Sequence, residues 1–260
     1  MTTRTANASI GFDDIGSGPP IVFLHGFPLD STMWAPQTSA LADHFRCITI
    51  DTRGFGESTT TPPFTIDRYA DDVIAVLDLL DIETTTVVGL SMGGYIAFAL
   101  WRRAPHRVNA LVLADTRAGV DTPDTRQRRH ELIALAHSEG AAAVVERQLV
   151  GLLGKSTREH QPDVEESVRA IGQSATVDGI VGALEAMLGR QDSVPTLPTI
   201  NVPTLIVVGD EDVITPPKEA RAMHAAIQGS RLQVLAGAGH LSSLEQAAAF
   251  NAVMREFVLS

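Results

Sequence analysis

Short apolar runs recur along the chain, each bounded by polar or turn-forming residues. They are Ile21–Leu24, Cys47–Ile50, Thr86–Val88, Ala110–Ala114, Leu205–Val208 and Leu232–Leu235. The runs are rich in Val, Ile and Leu and apolar on both faces, the pattern of strands covered on each side in a parallel sheet. Helical spacings of apolar positions separate them. Alternation of this kind predicts βαβ units and an α/β class, with a mostly parallel central sheet flanked by helices. The residues up to Gly16 read as a short hairpin or edge strands, closed by the turn signal Gly16-Ser17-Gly18-Pro19-Pro20.

The alternation stops between about Thr116 and Pro203. Apolar stripes such as Val144, Val145, Leu149, Leu152 and Ile180, Leu184, Leu188 recur there at helical spacing. Pro123, Gly140, Pro162 and Asp192 punctuate the stretch, which predicts four amphipathic helices. The segment Val194-Pro195-Thr196-Leu197-Pro198, followed by Pro203, returns the chain to strand pattern. The expected organisation is a core of residues 1–116 and 200–260, with a helical cap of residues 117–199 inserted between two core strands. A chain of 260 residues buries enough surface for one large core around a sheet.

Charge narrows the range of partners. The chain carries 20 Lys and Arg against 31 Asp and Glu, a formal net charge of −11 at pH 7. Phosphate backbones repel such a surface, so nucleic-acid binding is not expected. The cluster Arg126, Arg128, Arg129 and His130 reads first as the solvated face of a helix, and second as a local anchor for an anionic substrate. Cys47 is the only cysteine, so an intramolecular disulfide and a Cys-based metal site are both excluded. Its apolar surroundings read as those of an inert buried thiol. No apolar run approaches the ~20 residues that span a bilayer. Thr2, Thr3, Arg4 and Thr5 stand where a secretion signal would be apolar, so a cytoplasmic protein without a membrane partner is expected. Asn7-Ala8-Ser9 matches a glycosylation acceptor, which matters only in a secreted chain. Composition leaves room for a homo-oligomer.

The candidate chemistry begins after the run Thr86-Val87-Val88. Gly89-Leu90-Ser91-Met92-Gly93-Gly94 is a G-x-S-x-G motif between a predicted strand and a predicted helix. A serine on so sharp a turn holds strained backbone angles, and Gly89 and Gly93 remove side chains that would clash. Ser91 is therefore the candidate nucleophile. A serine hydroxyl needs a neighbouring base. His240 follows the last predicted core strand and the turn Ala236-Gly237-Ala238-Gly239, at the same sheet edge as Ser91. His25 is the main rival, although its place before Gly26 fits packing beneath a loop. The acid that orients the base is sought after the next-to-last strand, in Gly209-Asp210-Glu211-Asp212. Asp212 lies past the turn and can reach inward; Asp210 reads as a turn residue and Glu211 as exposed. Asp115, at the end of another strand, stands as the alternative acid. The chain order Ser91, Asp212, His240 is nucleophile, acid, base.

Acyl transfer also needs two N–H donors for the developing oxyanion. Met92, after the nucleophile, is one candidate. Phe27 in His25-Gly26-Phe27-Pro28 is the other, since proline has no N–H to give. Trp34 and Leu241 are candidates for the substrate pocket, with core packing an equal reading for Trp34. The cap stretch holds no Phe, Tyr or Trp, so aliphatic contacts and small to medium apolar acyl groups are expected. Gly151–Ser156 ends like a phosphate loop but lacks its first glycine, because position 149 is Leu. Neither a cofactor nor a metal is called for.

Together His25–Pro28, Asp51–Ser58, the Ser91 turn, Gly209–Asp212 and Gly239-His240 resemble the α/β-hydrolase fold family over nearly the whole chain. The resemblance implies that Arg53-Gly54-Phe55-Gly56 is a structural turn. It also implies that strand order reverses between the strands ending at His25 and Gly89, where ligands bind in open sheets. Gly89–Gly94 and His240–Gln246 look like those of 3-oxoadipate enol-lactonases, cofactor-free haloperoxidases (perhydrolases) and small carboxylesterases. The implied activity is hydrolysis of a small-molecule ester or lactone through an acyl-enzyme. Peracid formation or C–C bond cleavage on the same fold, and a slow-turnover small-molecule receptor, are the alternatives.

Overall fold

The apolar runs become strands in the computed structural model, which describes residues 1–4 and 8–259. Asn7 of the glycosylation triplet, like Thr5 of the polar N-terminal stretch, lies outside the described residues. Among those residues the strands are β1 (Thr2–Arg4), β2 (Ser9–Gly16), β3 (Pro20–Leu24), β4 (Arg46–Ile50), β5 (Thr85–Leu90), β6 (Val108–Ala114), β7 (Thr204–Gly209) and β8 (Arg231–Leu235). They form one sheet in the order β1-β2-β4-β3-β5-β6-β7-β8. The β1–β2 and β2–β4 pairs are antiparallel, and every later pair is parallel. The chain moves outward one way from β3 to β4 and the other way from β5 to β8. The crevice between β3 and β5 at their carboxyl ends is therefore the point where strand order reverses.

Helices cover both faces. They are α1 (Ala35–Leu41), α2 (Ile66–Leu79), α3 (Met92–Arg103), α4 (Pro123–Glu139), α5 (Ala141–Leu152), α6 (Lys155–His160), α7 (Pro162–Gly172), α8 (Val177–Leu188), α9 (Pro217–Ala226), α10 (Ser242–Glu245) and α11 (Ala247–Leu259). Alternate strand residues split into two apolar clusters. Val22, Leu24, Ile48, Ile50 and Val87 face α2 and α3. Ile21, Phe23, Cys47 and Val88 join Trp34 and the α11 residues Phe250, Met254 and Phe257 on the other side. Burial on both faces is why the runs lack polar alternation. It also pushes the Cys47 thiol up to about 11, as fits an inert residue.

Residues 117–199 contain α4 to α8 and a 3₁₀ turn at Val194–Thr199, and no described strand. The expected four helices are five. Pro123 and Pro162 open α4 and α7, and Gly140 parts α4 from α5, as read. The additional break falls at Leu153-Gly154, where Leu153 turns extended. A side chain at Gly154 would lie 2.7 Å from Glu211 Oε2 and 2.8 Å from Gly239 N, so contact with the core divides what helical spacing would have continued. The Arg53 turn is buried: its guanidinium donates to Asp72 at 2.6 and 2.8 Å. Its neighbour Gly54, at φ +84°, meets Gly179 of α8. Among the described residues no helix is long and apolar enough to cross a membrane.

Candidate active site

Ser91 sits between β5 and α3 at φ 54°, ψ −110°, a backbone conformation that non-glycine residues rarely adopt. Hydrogen bonds to both of its backbone groups hold it there. Ser91 N–H donates to Ala114 O at 2.9 Å, and Ser91 O accepts from Gly94 N–H at 2.9 Å and from Thr116 Oγ1 at 2.8 Å. The flanking glycines are required by close approach. A Cβ on Gly93 would stand 2.1 Å from Leu24 O, and one on Gly89 would stand 2.4 Å from Gly93 O. Helix α3 can therefore start directly against the end of β3.

The base and acid arrive from the far side of the sheet edge. Ser91 Oγ lies 2.8 Å from His240 Nε2, and His240 Nδ1 lies 2.8 Å from Asp212 Oδ2. With the Nδ1 proton turned to the carboxylate, Nε2 is left to accept the serine proton. Asp212 has all its acceptor positions in use. Oδ1 takes the N–H groups of Ile214 and Thr215 at 2.8 and 2.9 Å, and Oδ2 also takes Thr215 Oγ1 at 2.7 Å. Burial alone would raise the Asp212 carboxyl. The facing His240 and the bonds from His240 and Thr215 outweigh it and hold the group below the usual carboxylate value. An ionised Asp212 fixes the ring and favours the imidazolium that forms when the serine proton moves.

The two N–H groups that the sequence offers for an oxyanion are both without an acceptor. Among the described residues neither Met92 N nor Phe27 N donates to an acceptor. Met92 opens α3, so its N–H is one of the unpaired donors of a helix start. Phe27 follows Gly26, whose missing Cβ would sit 3.5 Å from Ser91 Cβ. The Phe27 ring packs edge-on to Phe55 with centroids 6.4 Å apart.

The other sequence candidates separate cleanly. His25 is fully buried beneath this loop, with Nδ1 3.1 Å from Gly26 O and Nε2 accepting from Thr52 N–H at 3.0 Å. Burial lowers its pKa, and it makes no bond to Ser91. Asp115 spends Oδ1 on Gly209 N–H at 3.0 Å and Oδ2 on the Ser242 hydroxyl at 2.5 Å. Burial and the charge of Asp212 push its pKa well up, and it makes no hydrogen bond to His240. Asp210 caps the Gly237 turn at 2.8 Å. Trp34 gives way to its core reading: it is fully buried, with ring centroids 5.3 Å from Phe23 and 6.3 Å from Phe250. Leu241 is likewise fully buried in that cluster rather than lining an open pocket.

Motif reading missed Thr215, whose hydroxyl binds Asp212 and lies 3.2 Å from His240 Nδ1. The Asp-x-x-Thr spacing of a side-chain-capped turn was the available signal. Two residues of the basic cluster read from the sequence, Arg128 and Arg129, line a cavity of about 230 Å³ together with Arg117, Arg147, Gly151 and Ile214, and of its arginines only Arg117 and Arg147 went unread. Arg129 is paired with Asp121 at 2.6 Å. Arg117 is only loosely paired with Asp121, at 3.8 Å, and its buried Nε has no hydrogen-bond partner. No carboxylate among the described residues pairs with Arg128 or Arg147.

Residues 19–247 match the alpha/beta hydrolase fold family. The chain is 31% identical over 244 residues to 3-oxoadipate enol-lactonase 2 of Acinetobacter baylyi, covering 92% of this chain and 90% of that one. A thermophilic esterase from Thermogutta terrifontis superposes with a TM-score of 0.94 at 38% identity, covering 99% of this chain and 96% of the esterase. A bromoperoxidase from Bacillus anthracis superposes with a TM-score of 0.87 at 25% identity, covering 97% and 96% respectively.

Proposed function

We propose that this chain, which belongs to the alpha/beta hydrolase fold family, cleaves carboxylic esters or lactones through Ser91, His240 and Asp212. The observation that carries the reading is the unbroken relay, 2.8 Å from Ser91 Oγ to His240 Nε2 and 2.8 Å from His240 Nδ1 to Asp212 Oδ2. Ser91 Oγ attacks the acyl carbon while His240 takes its proton. The oxyanion receives the N–H groups of Met92 and Phe27, each worth about 10²–10³ in rate. Collapse expels the alkoxide, which leaves with the proton from Nε2. Water then gives a proton to His240, attacks the acyl-enzyme, and Ser91 departs reprotonated. The names of the enol-lactonase and esterase relatives support this reaction class.

We read residues 117–199 as a cap over this site, because Leu152 O accepts from His240 N–H at 3.0 Å. One observation favours a narrower substrate than an apolar ester. The basic cavity borders all three groups in sequence: Arg117 follows Thr116, which binds Ser91 O, Ile214 N–H binds Asp212, and Gly151 precedes Leu152. Two unpaired guanidinium groups and a buried unpartnered Nε suit a substrate that carries a carboxylate. The Acinetobacter relative is named for a lactone of a dicarboxylic acid.

The test is hydrolysis of p-nitrophenyl monoesters of dicarboxylic acids beside neutral esters of equal length, by the wild type and Ser91→Ala. Losing the nucleophile is expected to cut turnover by up to ~10⁶. The acidic esters are expected to show the lower KM, and Arg147→Ala to erase that preference. Equal turnover by Ser91→Ala would refute the nucleophile. A preference for neutral esters would refute the anionic substrate alone.

A further inference from the structure

Glu245 ends α10, five positions after His240, and is 3% exposed. Its two carboxylate oxygens receive four donors that fall into two pairs. Oε1 accepts from Gly239 N–H at 2.9 Å and Leu241 N–H at 3.0 Å, the amides on either side of His240. Oε2 accepts from Gly154 N–H and from Thr157 Oγ1, both at 2.7 Å. The His240 amide between the first pair goes to Leu152 O at 3.0 Å. Three consecutive amides of the base loop are thus held by Glu245 and by residues 152–157. The two segments also touch through backbone, since a Cβ on Gly239 would stand 2.2 Å from Gly154 N.

The acid loop is tied to the same turn. Glu211, directly before Asp212, accepts from Ser156 N–H at 2.8 Å and from Ser156 Oγ at 2.5 Å. The turn 154–157 therefore receives one carboxylate from the loop that carries the acid and one from the loop that carries the base.

We propose that Glu245 is a positioning residue that sets His240 against Ser91 and makes that setting depend on the docking of residues 154–157. The proposal rests on the Ser91–His240–Asp212 reading above. Moving the 154–157 turn away would strip Oε2, on a carboxylate only 3% exposed, of both its donors, and an unsatisfied buried polar oxygen is costly. It would also free the His240 amide from Leu152. The base loop would then keep two of its three amide bonds, both to a carboxylate no longer anchored on the helical segment, and displacements of about 1 Å at reacting groups cost on the order of 10²-fold in rate. The base is thus correctly placed only while the helical segment is docked.

The experiment measures the labelling rate of Ser91 by a fluorophosphonate, together with kcat, KM and the pH profile of p-nitrophenyl ester hydrolysis. The proteins compared are the wild type, Glu245→Gln, Thr157→Val and the double variant. Gln keeps the size but replaces one oxygen with an amide NH₂, which cannot accept from its pair of donors. Thr157→Val is nearly isosteric and removes one donor from the docked segment only. Expected are labelling and kcat lowered about 10–100-fold in Glu245→Gln with KM changed little. A smaller fall in Thr157→Val, a double variant scarcely worse than Glu245→Gln, and a displaced acid limb of the pH profile complete the pattern. Thr157→Val carries the test if Glu245→Gln fails to fold. Variants that lose thermal stability yet label and turn over at wild-type rates, with an unmoved acid limb, would overturn the positioning role while leaving the nucleophile intact. A wild type that does not label at Ser91 would overturn both.

Discussion

At the scale of single residues, Asp212 and Asp115 show how neighbours decide the role of identical side chains. They follow adjacent strands, β7 and β6, and both are buried. Asp212 has His240 at 2.8 Å, whereas Asp115 gives its oxygens to Gly209 and Ser242. Asp212→Asn is expected to lower kcat by about 10⁴ through the wrong imidazole tautomer. Asp115→Asn is expected to leave kcat within about tenfold, because it acts only through Ser242 and the Gly209 turn. Ester hydrolysis by the two variants at neutral pH checks this, and the reverse ranking would transfer the acid's role to Asp115. Ser91 and His240 were legible from motif and loop position. The sequence favours Asp212 over Asp115 from its place past the turn, and leaves Asp115 open as the alternative because both follow strands at the same sheet edge and side-chain direction separates them.

At the scale of elements, the strand runs were legible because burial on both faces leaves a plain chemical trace. The antiparallel edge pair β1–β2 fits the reading of the N-terminal residues as a short hairpin or edge strands, closed after β2 by the turn signal Gly16–Pro20. The helices of residues 117–199 were legible in kind, but the Gly154 break was not. Its cause is contact with Glu211, Gly239 and Glu245, which lie 57 positions or more away in sequence. Helix α8 meets the core by similarly close approach. A Cβ on Gly179 would stand 2.1 Å from Gly54 O, and one on Gly182 would stand 2.5 Å from the Phe64 ring. Backbone cannot yield as a flexible side chain does, so Gly179→Ala is expected to destabilise the protein by about 1–3 kcal/mol. A urea midpoint lowered with an unchanged m value would bear this out, and an unchanged midpoint would show that α8 docks loosely.

At the scale of the whole molecule, buried carboxylates set opposing responses to pH. Burial alone would raise Asp121 as it would Asp212. Arg129 and Arg190 outweigh it at Asp121, as His240 and Thr215 do at Asp212, so both groups are held below their ordinary value. Unfolding lets them bind protons more readily. The stability they contribute is therefore complete above the unfolded value, about 3.9, and is lost as pH falls through the folded values. Asp115 has the opposite sign, raised by burial and by Asp212. Its contribution is complete below about 3.9 and is lost as pH rises toward its folded value. Wild-type stability is expected to fall on acidification below about pH 4. The stability of Asp115→Asn relative to the wild type is expected to improve as pH rises from about 4 to 7. Urea midpoints across that range measure both, and a gap that stays constant would remove Asp115 as an opposing group.

Taken by itself, the amino-acid sequence determined the layered α/β architecture, the strand–turn–helix around Ser91, and the chain order Ser91, Asp212, His240 of the proposed nucleophile, acid and base. These follow from local rules: apolar runs that need cover, glycines where backbones meet, and loops that leave strand ends on one edge. Tertiary structure alone decided which aspartate faces His240, where the guanidinium groups of Arg117, Arg128, Arg129 and Arg147 converge, and that Trp34 belongs to the core. It alone brought Glu245 between the base loop and the 154–157 turn. Those outcomes depend on distances between residues far apart in sequence, and such distances are set only when the two faces of the sheet are packed.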